Sequence, residues 1–142
     1  SDTQTGVDGK ARYNLFDHGA IYYRPNIGTF EVHRAIFDQW QALNRDAGPL
    51  GLPTTDIKNA ATKPGKYNGF DNGIISYHPT EGTFAVYGPI WLKWKEMARD
   101  NGPLGYPLGD VTPTSGGGST CRFEHGQLTY DPTSGDVTWI PS

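Results

Sequence analysis

A chain of 142 residues has room for about one ordinary domain, which excludes an assembly of two large ones. Gly 19 and Pro 11 make it turn-rich, while 13% aromatic against 19% charged residues supplies buried material without the charge excess that keeps chains unfolded. A net charge of -3 with no Lys/Arg block argues against nucleic acid or an anionic membrane surface as partner, and no apolar run approaches the roughly 18 residues that span a bilayer.

Ser1 to Ala11 is polar, with Val7 as its only large apolar residue, and it lacks the apolar core of a signal peptide. From Tyr13 onward the chain repeats itself. A displacement of 54 positions lays Tyr13-Asn14 on Tyr67-Asn68, Phe16-Asp17-x-Gly19 on Phe70-Asp71-x-Gly73, and Ile36 and Trp40 on Ile90 and Trp94. Arg45-Asp46-x-Gly48-Pro49-Leu50-Gly51-x-Pro53 falls on Arg99-Asp100-x-Gly102-Pro103-Leu104-Gly105-x-Pro107 in the same frame. A third, shorter copy places Phe123, Gly126 and Tyr130 where Phe70, Gly73 and Tyr77 stand, and lacks a helix. The copies run over about 10–57, 63–111 and 119–142, in a single domain.

Within each copy, Phe16-Asp17-His18-Gly19 and its equivalents predict a tight hairpin whose glycine takes positive φ. Ala20 to Tyr23 and Thr29 to Val32 alternate with the period of half-buried strands, so a three-stranded meander is expected per copy. Ile36, Trp40 and Leu43 recur at helical spacing, as do Ile90, Trp94 and Met97, and predict one apolar stripe on each of two helices. Gly48 and Gly102 fit the left-handed position past a helix end, and Pro49 and Pro103 prevent continuation. The fold class expected is α+β: tandem units of a short antiparallel meander plus one helix, two full copies and a truncated third.

Leu50-Gly51-Leu52-Pro53 and Leu104-Gly105-Tyr106-Pro107 close the two helices, and with the internal Trp and the preceding Ile-x-Tyr-x-Pro the chain resembles LGFP repeats. The first tetrapeptide departs from that pattern, with Leu52 where an aromatic is usual. The resemblance implies a secreted, cell-wall-associated accessory module, of a kind often appended to envelope enzymes such as mycolyltransferases or peptidoglycan hydrolases, and cell-wall polysaccharide or peptidoglycan as partner. It supplies no catalytic residues.

The residues themselves point away from catalysis. Nucleophile-elbow, Walker, His-Glu-x-x-His and dinucleotide motifs are missing, so neither a cofactor nor a metal is expected. His18, Asn72 and His125 share a turn position that tolerates the left-handed region. Asp17, Asp71 and Glu124 precede them, either as repeated carboxylate ligands or as caps of the turn backbone. Arg45-Asp46 and Arg99-Asp100 either bind a polar ligand in each copy, tie neighbouring copies together or neutralise a helix end. Cys121 stands alone, without a partner for a disulfide or the context of a nucleophile.

Aromatic residues kept between copies read as the repeating core. Those that change, Tyr22 (Ser76), Tyr87 (His33), Trp91 (Phe37) and Tyr106 (Leu52), are candidate ligand contacts. Tyr22 is expected to face solvent between inward-facing Ile21 and Tyr23, as a stacking platform for sugar. The function expected is a non-catalytic glycan-binding module; the alternatives are a protein-protein assembly element and, less favoured, a glycan hydrolase. The third copy has no following helix to cover Phe123, Tyr130 and Trp139. A homodimer or contact with another domain through that copy is therefore expected, Ser1 to Ala11 being too polar to act as a lid.

Overall fold

The computed structural model describes residues 3–142, so Ser1 and Asp2 of the N-terminal segment lie outside it. Among the described residues the chain forms three antiparallel four-stranded sheets and two helices. The first sheet comprises β1 (Gln4–Thr5), β2 (Arg12–Phe16), β3 (Gly19–Arg24) and β4 (Gly28–His33), followed by α1 (Arg34–Ala42). The second comprises β5 (Lys58–Asn59), β6 (Lys66–Phe70), β7 (Gly73–His78) and β8 (Gly82–Tyr87), followed by α2 (Gly88–Glu96). The third comprises β9 (Thr112–Pro113), β10 (Ser119–Phe123), β11 (Gly126–Asp131) and β12 (Asp136–Pro141). Each expected meander thus gains a two-residue fourth strand from the connector before it, as in the pairing of Lys58 with Tyr67.

Packing alternates sheet and helix. α1 touches β3 and β4 of its own copy and β7 and β8 of the next, and α2 repeats this with β7 and β8 and then β10, β11 and β12. The Ile-Trp stripes are inside: Ile36, Trp40, Ile90 and Trp94 are all buried. Each indole also reaches the following copy, Trp40 meeting Phe70 at 5.2 Å between ring centres and Trp94 meeting Phe123 at 5.3 Å. One face of the third meander is therefore packed on α2. α2 buries Phe123 and Leu128 and packs against Tyr130, so that part of the expected bare surface is covered, whereas Trp139, opposite Leu128, and Ile140 remain exposed.

A helix on each side buries both faces of the second sheet, and Ile74 and Ile75 point into different cores. The first sheet has a helix on one face only. That face carries Ala20, Tyr22 and Val32, which leaves Phe16, Ile21 and Tyr23 exposed, the reverse of the expected orientation.

Two glycine readings also change. Of the three hairpin glycines only Gly126 has positive φ, at 157°; Gly73 is required by crowding instead, since a Cβ there would sit 2.1 Å from the Val86 carbonyl oxygen. Gly48 is extended at φ -93°, and a Cβ on it would lie 1.7 Å from the Leu43 carbonyl oxygen. The left-handed residues that end the helices are Asn44 and Arg45, and Ala98 and Arg99; His18, Asn72 and His125 are not among those with positive φ.

Candidate functional site

The repeated polar residues serve the junctions between copies. Asp71 and Asn72 donate their backbone N–H groups to the carbonyls of Leu52 and Leu50 at 2.9 and 3.0 Å. Glu124 and His125 do the same to Tyr106 and Leu104 at 2.9 and 3.0 Å. In return the Asp71 carboxylate accepts the Leu52 N–H at 3.4 Å, and Glu124 Oε1 accepts the Tyr106 N–H at 2.7 Å. The indole N–H groups of Trp40 and Trp94 donate to Gly51 and Gly105 at 3.2 and 3.1 Å. The Leu-Gly-x-Pro tetrapeptide is thus a clasp that fastens the helix end of one copy to the hairpin of the next. The carboxylates at Asp71 and Glu124 hold that clasp rather than cap their own turns.

Side chains next to the two clasps differ. At the first junction Arg24 Nη1 pairs with Asp71 at 2.9 Å and also donates to the Pro53 carbonyl at 3.2 Å. At the second, His78 stands where Arg24 does; its Nδ1 accepts the N–H groups of Thr80 and Glu81, each at 3.1 Å. Glu81 faces Glu124. Burial first, and the Glu124 carboxylate second, push the Glu81 carboxyl up to about 7.

The repeated Arg-Asp pairs tie each copy to the segment just ahead of it and to its own first tyrosine. Asp46 Oδ2 accepts the Val7 N–H and Asp100 Oδ2 the Thr62 N–H, both at 2.7 Å. Arg45 and Arg99 lie over the rings of Tyr13 and Tyr67 at 5.4 and 4.8 Å. Cys121 is buried and donates to the Gly109 carbonyl at 3.4 Å, while burial pushes its thiol up to about 12. It stays protonated, which is the opposite of what a nucleophile needs.

Of the four aromatics that vary between copies, two are inside. Tyr22 is 0% exposed, stacked on Tyr13 at 4.7 Å, and its hydroxyl donates to Asp46 Oδ1 at 2.9 Å. Burial and that carboxylate raise the phenol well above its ordinary range. Tyr106 is 3% exposed, set edge-on against His78 at 4.8 Å, with its hydroxyl donating to the Thr62 carbonyl. Neither offers a ring face to a ligand; the expected exposure of Tyr22 is corrected by the helix lying on its side of the sheet.

Tyr87 and Trp91 are brought together. They line one open depression of about 490 Å³ at the β8–α2 corner, with Pro49, Asp71, Asn72, Gly88, Pro89 and Leu92. Both aromatics are half-buried, and Leu92 is exposed. The Tyr87 hydroxyl donates to the Val111 carbonyl at 3.3 Å, and Trp91 rests edge-on against Trp94 at 6.2 Å with Lys95 over its ring at 5.8 Å. Both rings are held in place on one side and line the depression on the other. The equivalent corner of the first copy is polar, lined by His18, Glu31, His33, Arg34, Ala35 and Asp38. Leu92, Asp71 and Asn72 escape sequence reasoning as site residues; the signal that finds Leu92 is an apolar residue at the register where the first helix carries Asp38.

The repeat is recognisable outside this chain. A model of the LGFP repeat matches residues 1–48 and 50–102. No curated protein matches the chain.

Proposed function

The chain belongs to the LGFP repeat family, and from that premise we propose that it is a non-catalytic binding module that attaches to cell-wall or other surface glycan, outside the cell. The observation that carries the proposal is the corner where Tyr87, Trp91 and Leu92 meet Asp71 and Asn72. Rings of fixed orientation beside a carboxylate and an amide suit a sugar, whose faces carry C–H groups and whose edges carry hydroxyls. An open depression also suits a polymer, which has to lie across a surface rather than enter a cavity. On this reading the binding corner belongs to one copy and the rest of the repeat is its scaffold.

The first copy supplies test substitutions that its own corner already tolerates. Tyr87→His and Trp91→Phe introduce the residues found at His33 and Phe37. Each variant should melt close to the parent and lose about fivefold in retention on insoluble wall polysaccharide, the order of a stacking contact worth about 1 kcal/mol. A pull-down against a panel of such polymers, with soluble sugars as competitors, measures this. Variants that melt like the parent and bind equally well overturn the assignment. The second reading, a protein-protein assembly element, is favoured by the exposed apolar face of the first sheet.

A further inference from the structure

The first sheet turns toward solvent the face that the other two bury. Its Phe16, Ile21 and Tyr23 are 54%, 39% and 49% exposed. Under α1, their counterparts Phe70 and Ile75 fall to 5% and 0%; under α2, Phe123 and Leu128 fall to 3% and 0%. The polar groups follow the same pattern. Asp71 and Asn72, like Glu124 and His125, give their N–H groups to a preceding Leu-Gly-x-Pro clasp, whereas Asp17 and His18 make neither bond among the described residues. Asp110 accepts the Ala85 N–H at 2.8 Å and also both hydrogen bonds of Gln39 Nε2, which reaches it from α1 at 2.9 and 2.8 Å. Asp56, its equivalent, accepts the Glu31 N–H at 2.8 Å and is otherwise exposed, with no helix side chain upon it.

We propose that this face is the seat for the helix and Leu-Gly-x-Pro segment of a further repeat, docked on the first sheet as α1 docks on the second and α2 on the third. The interface is already realised twice within the chain, so its requirements are known residue by residue. The arriving helix brings an inward Trp to Phe16 and a Gln or other donor to Asp56, and the Leu-Gly-x-Pro segment after it brings two carbonyls to the amides of Asp17 and His18. A second copy of this chain has no free helix to offer, because α1 is held between the first and second sheets and α2 between the second and third. The outward face of the third sheet differs in character: Thr120, Gln127 and Thr129 are hydrogen-bonded to one another there, beside Ile140, which pairs with Gln127 and is exposed.

The test joins an added copy of residues 3–56 directly ahead of Thr3 in the full chain, which restores the spacing found between Pro53 and Lys58. Ile21→Lys is then made in the original copy, with and without the addition. In the unextended chain it should leave the melting temperature nearly unchanged, as exposed substitutions do; in the extended chain it should lower it by several degrees. The amide hydrogens of Asp17 and His18 should also become as protected from exchange as those of Asp71 and Asn72. An added copy that stays unfolded beside a folded original, or Ile21→Lys neutral in both chains, overturns the proposal. So does concentration-dependent association of the unextended chain that Ile21→Lys abolishes, which would assign the face to a second copy. If the unextended Ile21→Lys chain loses wall-polymer retention, the face is a glycan platform instead, an outcome separable from the Tyr87 and Trp91 variants.

Discussion

Arg34 opens α1 at φ 57°, and Gly88 opens α2 at φ 71°. The corner holds both residues there, because Arg34 N–H donates to the His18 carbonyl at 2.7 Å and Gly88 N–H to that of Asn72 at 3.1 Å. Left-handed backbone costs a residue with a Cβ about 1 to 2 kcal/mol, while glycine forfeits about 0.5 to 1 kcal/mol through its freedom in the unfolded chain. The first term is the larger. Arg34→Gly should therefore raise stability by about 0.5 to 1 kcal/mol, seen as a higher urea midpoint with an unchanged slope; a lower midpoint would show that the Arg34 side chain contributes more than its backbone costs. A sequence read alone does not reveal this strain, since Arg has no preference for that region. Tyr22 escapes for a different reason. Alternation correctly separates Ile21 and Tyr23 from Ala20 and Tyr22, but it does not say which face meets the helix, and identity between copies favours the wrong one. Ile21 and Ile75 are the same residue in the same register, one exposed and the other buried, because only the second has a preceding helix above it.

The helices were legible because their stripes have one job in both copies. Ile36 and Trp40 fill the gap between the first and second sheets, and Ile90 and Trp94 that between the second and third. Trp40→Ala should cost about 3 to 5 kcal/mol, the range for emptying a fully buried large side chain, and unfold a marginal protein outright. Trp40→Phe keeps much of the packing but leaves the Gly51 carbonyl without its indole donor, a loss nearer 1 to 3 kcal/mol. Denaturant melts of both variants order the two terms; equal losses would make the hydrogen bond, not the ring volume, the dominant contribution. The tetrapeptide that follows was legible as a pattern and not as a mechanism. Its glycine sits at φ 78° in Gly51 and 74° in Gly105, where a Cβ would meet Asp71 and Glu124 of the next copy at 3.1 and 2.3 Å. That constraint is between copies, whereas turn and cap rules are local. The candidate corner is similar: Tyr87 and Trp91 could be picked out by their variation, but Asp71 and Asn72 join them only through the packing of hairpin against strand and helix.

Across the whole molecule, the two junctions use the same backbone clasp with opposite electrostatics. Arg24 neutralises Asp71 at the first, with no carboxyl opposed to it. At the second, Glu81 and Glu124 face one another with His78, His125 and the Tyr106 phenol around them. Two carboxyl groups so placed titrate as a unit, and one proton between them relieves the repulsion. Glu81 is the member that is raised, from an ordinary 4.5 to about 7, by burial and then by Glu124. A folded value above the unfolded one means the folded chain binds the proton more tightly. The stability associated with Glu81 is complete below about 4.5 and is lost as pH rises through about 7, while Glu124, which is held lower, contributes stability that is lost only in acid. The loss falls on the second junction alone. Between pH 5 and 8 the amides of Leu128 and the other third-sheet core residues should lose protection from hydrogen exchange, while those of the first junction, around Ile75, hold theirs. Glu81→Gln keeps the shape of the side chain and removes the charge, so it should flatten that dependence and leave the third sheet more protected than the parent at pH 8. Equal loss at both junctions, or a pH profile unchanged by Glu81→Gln, would place the titration elsewhere in the chain.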